Sequence, residues 1–422
     1  MFLPTKWAAL NALGQFLPRA GFDYAANRNF DNGPSSESSV SKLSPWVRVR
    51  MLPEWDIVSA VLEEHCPNEA AKFIDEVCWR TYWKGWLELR PSVWTDYLQD
   101  QSALLQSHQK HIGYHEAIEG RTGIDSFDAW NQELVEINYL HNHARMWYAS
   151  IWVHTLKLPW QLGADWFLRH LLDGDAASNT LSWRWVAGLH TRGKTYCAQP
   201  DNIRKYTKGR FTVDAPLASE PVDLGEPDVP KPSSLAQSNS PTSKGLRLGL
   251  LVTDDDLSVV DWLPSSYPVV TAASFSNESA YRSHGISEAV IHFRRDALSS
   301  LELSQLLVSS NEVVKWAQEN ELDGIITASP IVGFNQPALR DITKQLGAVG
   351  TECFTKRHWW DELFFPHATH GFFRFKKAIP KMLSRLNQEA VENPPHGAGS
   401  FHDPDQHHEL MKRVEDYLRN TT

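Results

Sequence analysis

Residues 139–185 read YLHNHARMWYASIWVHTLKLPWQLGADWFLRHLLDGDAASNTLSWRW, and the rest of the chain is organised around them. Asn142, His143 and Arg145 fall on one short segment, two carboxylates flank a glycine in Asp173-Gly174-Asp175, and the stretch closes with Asn179, Trp183 and Trp185. A helix that only fills a core has little use for that mixture. Carboxylates and guanidinium groups are costly to bury unless they pair with each other or with a ligand, so their density among so many aromatic side chains points to a lined pocket.

Composition bounds what surrounds that stretch. A chain of 422 residues, 42% of them hydrophobic, is long enough for two packed domains. Of its 18 tryptophans, 14 precede residue 216. An aromatic-rich helical core accounts for them; so does a chromophore or nucleobase site, because indole offers a stacking face and is easily oxidised. The net charge of −10 argues against indiscriminate binding to nucleic acid. Residues 1–215 hold 22 Lys and Arg against 24 Asp and Glu, leaving 19 against 27 for the remainder, so a local basic groove in the first half is compatible with the total. Cys66, Cys78, Cys197 and Cys353 lie far apart without CxxC spacing, which fits a reducing, cytoplasmic setting and gives no metal signature. No apolar run approaches the ~18 residues of a membrane span, and the first twenty residues, with Lys6 and Arg19, do not read as a secretory leader.

Along the chain, apolar positions recur at helical spacing over residues 7–17, and a polar loop follows at 31–39. In Val40-Ser41-Lys42-Leu43-Ser44-Pro45-Trp46, small hydroxyl residues precede a helix, a pattern that serves an ordinary N-cap and also suits an anion. Residues 69–90 predict an amphipathic helix on which Glu76, Trp79, Arg80 and Trp83 share or adjoin one face. Gly120-Arg121-Thr122-Gly123 is a turn ahead of a helix over 128–139. Residues 190–211 are basic, with Arg192, Lys194, Arg204, Lys205, Lys208 and Arg210 available to phosphates or simply to solvent.

Residues 215–244 are rich in Pro, Ser and acid and read as a linker. Beyond it, apolar runs at 246–252, 269–272, 289–293 and 324–328 predict strands, alternating with helical stretches at 304–320 and 336–346. That alternation implies a doubly wound, Rossmann-like α/β domain over 245–385, followed by a polar tail over 386–422 that carries His396, His402, His407 and His408. No GxGxxG or Walker loop is present, and His367 with His370 lacks a third ligand, so no metal is expected.

The run Leu140-His141-Asn142-His143-Ala144-Arg145-Met146, the Asp173-Gly174-Asp175 turn, Asn179, and the pair Trp183 and Trp185 resemble the flavin-binding domain of the DNA photolyase and cryptochrome family. The likeness extends over residues 20–211, takes in the Gly-x-Thr-Gly turn, and implies an all-α FAD-binding domain over 1–214. In the family an α/β antenna domain ordinarily precedes the flavin domain; here an α/β domain follows it, as a rearranged counterpart, and the antenna chromophore is left unassigned.

By that resemblance, Tyr24, Ser41, Lys42, Leu43 and Ser44, with Arg80, would hold the FAD phosphates, although Val40 stands where the family has threonine. Arg145 would pair with Asp173 beside the ring, Gly174 would form the turn, Asp175 would meet ring or ribose groups, and Asn179 would sit near flavin N5, the photolyase-like identity there. Glu76 and Asn142 would hydrogen-bond a pyrimidine dimer flipped out of damaged single- or double-stranded DNA, Met146 would pack against it, and Trp79 and Trp185 would wall it. His143 departs from the arginine of the repair enzymes. Trp183 and Trp160 match the inner members of the family's electron relay, and the third, expected near Ser107, is missing; Trp152, Trp147 or a tyrosine could replace it. The resemblance implies light-driven splitting of cyclobutane pyrimidine dimers by reduced FAD. His143 and the domain order support the alternative of a blue-light photoreceptor signalling to a protein partner. A flavin-binding relic without light chemistry is the third reading.

Overall fold

The computed structural model describes residues 2–191, 193–225, 229–241 and 245–392, with side chains to residue 386. Arg192, the C-terminal histidines and the tail beyond 392 lie outside the described residues. The chain forms two compact units, each assembled from separate stretches: 23–42 with 90–232, and 2–22 with 43–89 and the residues from 233 onward.

The first unit is helical. Its long elements are Ser92–His108, Asp125–Ile137, Asn142–Ser150, Trp160–His170 and Ala176–Val186. Asp125–Ile137 shows how local sequence sets such an element. The Asp128 carboxylate accepts from Thr122 N, Thr122 Oγ1 and Gly123 N at 3.0, 2.8 and 3.0 Å, which ties the preceding turn to the helix start. Phe127, Trp130 and Leu134 form the buried stripe, and the helix ends on Asn138 in the left-handed region at φ 58°. Asn142–Ser150 runs into a π-helical turn, Ile151–Thr155, closed by Leu156 N donating to Ile151 O at 2.9 Å. Residues 218 and 222 of the compositional linker are bound here, through Thr155 Oγ1 and His154 Nδ1.

The second unit combines the helices Lys6–Phe16, Glu54–Glu64 and Pro67–Glu88 with a five-stranded sheet. The strands are β1 Leu248–Thr253, β2 Val269–Phe275, β3 Leu306–Leu307, β4 Gly324–Ala328 and β5 Glu352–Lys356. All pairings are parallel, in the order β3-β2-β1-β4-β5. β1 and β4 are buried throughout, as strands covered on both faces must be. Gly249 lets Trp316 lie against β1, where an added Cβ would come within 2.5 Å of the indole.

Two expectations need correction. Residues 289–293 are not a strand; they belong to the helix Glu288–Ser299, capped by Ser287, whose side chain accepts from Val290 N. Val290, Arg294 and Ala297 with Ile291 and Leu298 fall on its buried face, a period that a five-residue β-branched window hides. Within 304–320, Leu306–Leu307 is an edge strand and the helix starts only at Ser310, capped by Ser309. The helix Ile379–Glu392 crosses the expected start of the tail, burying Ile379, Met382, Leu383 and Leu386 at helical spacing. Linker residues 236–239 run beside β5: Asn239 N donates to Thr355 O at 3.1 Å, Thr355 N donates to Asn239 Oδ1 at 2.7 Å, and Asn239 Nδ2 donates to Cys353 O at 3.1 Å. Among the described residues no helix is long and apolar enough to cross a membrane.

Candidate functional site

The first unit brings Arg145, Asp173, Gly174, Asp175, Asn179 and Trp183 onto neighbouring helix ends. His141 caps Asn142–Ser150 by accepting from His143 N at 3.1 Å, and burial pushes its imidazole down to about 4, so the cap acts as a neutral acceptor. One turn in, Arg145 Nε donates to Leu140 O at 2.9 Å, its Nη2 meets Asp173 Oδ2 at 3.0 Å, and its guanidinium lies 5.4 Å from the Tyr139 ring centre. The pair foreseen between Arg145 and Asp173 is therefore present. Asp175 caps the next helix, Oδ1 accepting from Ala177 N and Ser178 N at 2.9 and 2.7 Å and Oδ2 from the Ser178 hydroxyl at 2.5 Å.

On Ala176–Val186, Asn179 Nδ2 donates to Ala164 O at 2.8 Å, which fixes the orientation of its carboxamide. One turn further, the ring of Trp183 is 2% exposed and its Nε1 has no hydrogen-bond partner among the described residues; Thr180 Oγ1 is likewise buried and unpartnered. Buried donors without acceptors are costly and rare in finished cores. Such atoms, in the same unit as the arginine–aspartate pair, fit a polar, aromatic ligand of the flavin kind. Gly163 is needed here, because a Cβ would fall 2.3 Å from Trp183 and 3.0 Å from Trp152.

Tyr24 is buried on the short helix Phe22–Asn27, and Lys42 adopts φ 55° with its ammonium 5.9 Å from the Tyr139 ring centre. Tyr139, Thr180 and Gly163 escaped the sequence reading, since only packing distinguishes them from other core residues. Asn142 is exposed, and Met146 and Trp185 are half-buried, with Trp185 stacked 6.0 Å from Tyr196. His143 Nδ1 lies 2.9 Å from Asn29 O, so this nitrogen carries the proton; the ring stacks 4.0 Å from Trp147, and burial lowers its pKa. Neutral His143 supplies no fixed cation where the repair pattern has one. A basic, aromatic rim follows, with Lys205 over Tyr206, Lys208 over Phe30 and Arg210 over Phe211. Trp160 is buried against Tyr97, their ring centres 5.7 Å apart.

Leu43, Ser44, Glu76, Trp79 and Arg80 belong to the second unit. Ser44–Arg48 is a single turn with buried Leu43 at its cap, and Glu76 lies 3.6 Å from Lys72. One face of Trp79 is covered by Phe372, stacked at 3.6 Å and 10°. This unit also holds an ion network that the sequence reading missed. Arg50 binds Glu54 at 3.0 Å, Asp256 at 3.1 Å and Asp361 at 2.7 Å, all buried. Burial alone would raise Glu54, yet Arg50 and then Lys84 hold it at about 2. The run Asp254-Asp255-Asp256 after an apolar strand was the available signal.

Residues 73–210 match the family described as the FAD binding domain of DNA photolyase. Proteins named deoxyribodipyrimidine photo-lyase from Streptomyces griseus and Escherichia coli K12 are both 30% identical, over 199 and 203 residues, covering 44% and 45% of this chain and 43% and 40% of theirs. The chain thus spans about two fifths of the length of the curated relatives it matches. The crystal structure of a bacterial class III photolyase from Agrobacterium tumefaciens is 27% identical, with 48% of this chain and 43% of that chain covered at a TM-score of 0.41. Residues 73–210 are thus similar to a FAD-binding domain of DNA photolyase, and the cofactor that this match indicates is FAD.

Proposed function

We propose that this chain is a light-dependent DNA repair lyase of photolyase type, which splits cyclobutane pyrimidine dimers in damaged DNA. The observation that carries the reading is the convergence in one unit of the Arg145–Asp173 pair, the oriented carboxamide of Asn179, and the buried, uncommitted indole N–H of Trp183. When bound, reduced FAD supplies the electron that opens the cyclobutane ring under blue light. The chain's own residues bind and orient. Arg145, Asp173, Gly174, Asp175 and Asn179 hold the ring and ribose, and Tyr24, Ser41, Lys42, Leu43, Ser44 and Arg80 take the phosphates. With Nδ2 donating to Ala164 O, Asn179 keeps its Oδ1 to accept from a protonated ring nitrogen.

Asn142, His143, Met146 and Trp185 contact the extruded lesion, and Glu76 and Trp79 carry the same role by resemblance. Stacking on such aromatics contributes about 1–3 kcal/mol per base against the few kcal/mol that extrusion costs. In sequence the reading assigns 1–214 to the flavin domain, 215–244 to a linker, 245–385 to a doubly wound, Rossmann-like counterpart of the antenna domain, and 386–422 to a polar tail. Trp183 and Trp160 belong to the relay that reduces the flavin.

A blue-light photoreceptor signalling to a protein partner is the second reading, favoured by the covered face of Trp79 and the neutral His143. Photoreduced, flavin-loaded protein incubated with dimer-containing single- and double-stranded oligonucleotides under blue light separates the two. Restored thymines are expected; bound flavin with no thymine recovery moves the assignment to the photoreceptor.

A further inference from the structure

We propose that in this chain the electron path from Trp183 runs through Trp152 to Tyr114, so that a tyrosine ends the relay. The inference rests on the flavin reading above, keeps Trp183 next to the flavin, and puts Trp152 in the place that the resemblance gives to Trp160.

Among the described residues no ring contact joins Trp183 to Trp160. Trp183 instead meets Trp152 edge-on, centres 6.2 Å apart at 87°, and both rings converge on Gly163. Trp152 is fully buried and stands on the π-helical turn Ile151–Thr155, with its indole N–H held by Pro159 O at 2.9 Å. A π turn inserts a residue into the helical frame and re-aims the side chains that follow, a device concentrated at functional positions. Tyr114 lies beyond, 6.1 Å from Trp152 at 87°, and touches the rings of His108 and His115 at 6.5 and 5.6 Å. It sits on the surface helix Ile112–Ile118, beside Ile112, which is 74% exposed.

The Trp160 branch ends differently. Trp160 leads to Tyr97 and on to Trp94, both buried, and the Tyr97 hydroxyl is sealed with no hydrogen-bond partner among the described residues. A phenol gives up an electron readily only if its proton can leave with it. Tyr97 has nowhere to send that proton, whereas the Tyr114 hydroxyl is not one of the sealed, unpartnered buried atoms and its ring, though buried, lies on the same short helix as solvent-exposed Ile112.

In the step inferred, Trp183 loses one electron to the photoexcited flavin, Trp152 refills Trp183, and Tyr114 refills Trp152 while its phenol proton passes to solvent. A thiol in solution returns a hydrogen atom to the phenoxyl radical. Two resulting thiyl radicals couple to a disulfide, which balances two turnovers.

The test uses the full, flavin-loaded chain, without oxygen, in dithiothreitol under blue light. It reads flavin content, the photoreduction rate, and the radical trapped by freezing and identified by electron paramagnetic resonance. Wild type is expected to trap a neutral tyrosyl radical. Tyr114→Phe should lose that signal and hold a tryptophan radical instead, and Trp152→Phe should slow photoreduction at least ten-fold at unchanged flavin content. If Trp152→Phe fails to retain flavin, Tyr114→Phe decides alone. Wild-type rates in both variants with no tyrosyl radical, while Trp183→Phe is blocked, overturn the path and leave the proposed function standing. Unimpaired photoreduction in Trp183→Phe overturns the relay altogether, whereas wild-type protein that retains no flavin removes the flavin reading itself.

Discussion

Arg145 Nη2 and Asp173 Oδ2 stand 3.0 Å apart, the aspartate side chain 3% exposed and the arginine 22%. Deleting the cation leaves a buried carboxylate uncompensated, a loss of about 3–5 kcal/mol for a fully enclosed pair and less where one partner reaches water. Arg145→Gln should therefore cost roughly 2–3 kcal/mol. Its bound flavin, measured by visible absorbance of gently purified protein, should fall several-fold; full flavin content would contradict a ligand role for the pair.

Asp175 uses both carboxylate oxygens on the first turn of Ala176–Val186. Asp175→Ala should lose about 1–2 kcal/mol in a urea titration, the worth of a helix cap, and Asp175→Asn much less. If the two variants lose flavin equally despite unequal stability, the carboxylate charge acts on the cofactor and not only on the helix.

Gly163→Ala directs a methyl into the Trp183 ring, 2.3 Å from its nearest atom. Overpacking of this kind costs about 1–3 kcal/mol. We expect the near-ultraviolet circular dichroism of the indoles to change and photoreduction to slow, since both rings of the relay must shift. An unaltered aromatic spectrum would mean the two rings do not meet over this glycine.

Glu88 is pushed up to about 7 by burial, against the pull of Arg357. A carboxyl whose folded pKa is raised holds its proton more tightly in the native state. Its stabilising contribution is complete below the unfolded value of about 4.5 and is lost as pH rises to about 7. Glu88→Gln should flatten that decline, which is on the order of 3 kcal/mol. Glu54, held at about 2, behaves oppositely: its contribution is present above about 4.5 and disappears as the pH falls towards 2. Unfolding midpoints from pH 3 to 8 read both limbs.

What was legible in the sequence was what neighbours in the chain decide. The Asp173-Gly174-Asp175 turn, the Gly-x-Thr-Gly turn closed by Asp128, and the long amphipathic helices follow from spacing and capping. Trp152 was legible only as one of several candidate donors, because its contact with Trp183 depends on a π turn and on a glycine brought in from another helix. Arg50 was equally opaque, its partners Asp256 and Asp361 lying 206 and 311 positions away. Residues 289–293 misled for the reverse reason: a local β-branched run outweighed a burial period visible only over the whole helix.

The bonds that Asn239 makes along β5 give the outermost strand a guard rail. A fragment started at residue 245, where composition alone would place the cut, loses that rail and bares a row of backbone donors and acceptors to other copies. Both this fragment and one begun at 233 lack residues 2–22 and 43–89 of the same unit. Between the two, we expect the one begun at 245 to clump faster in light scattering, the proline-rich stretch doing the work of a chaperone for its own sheet.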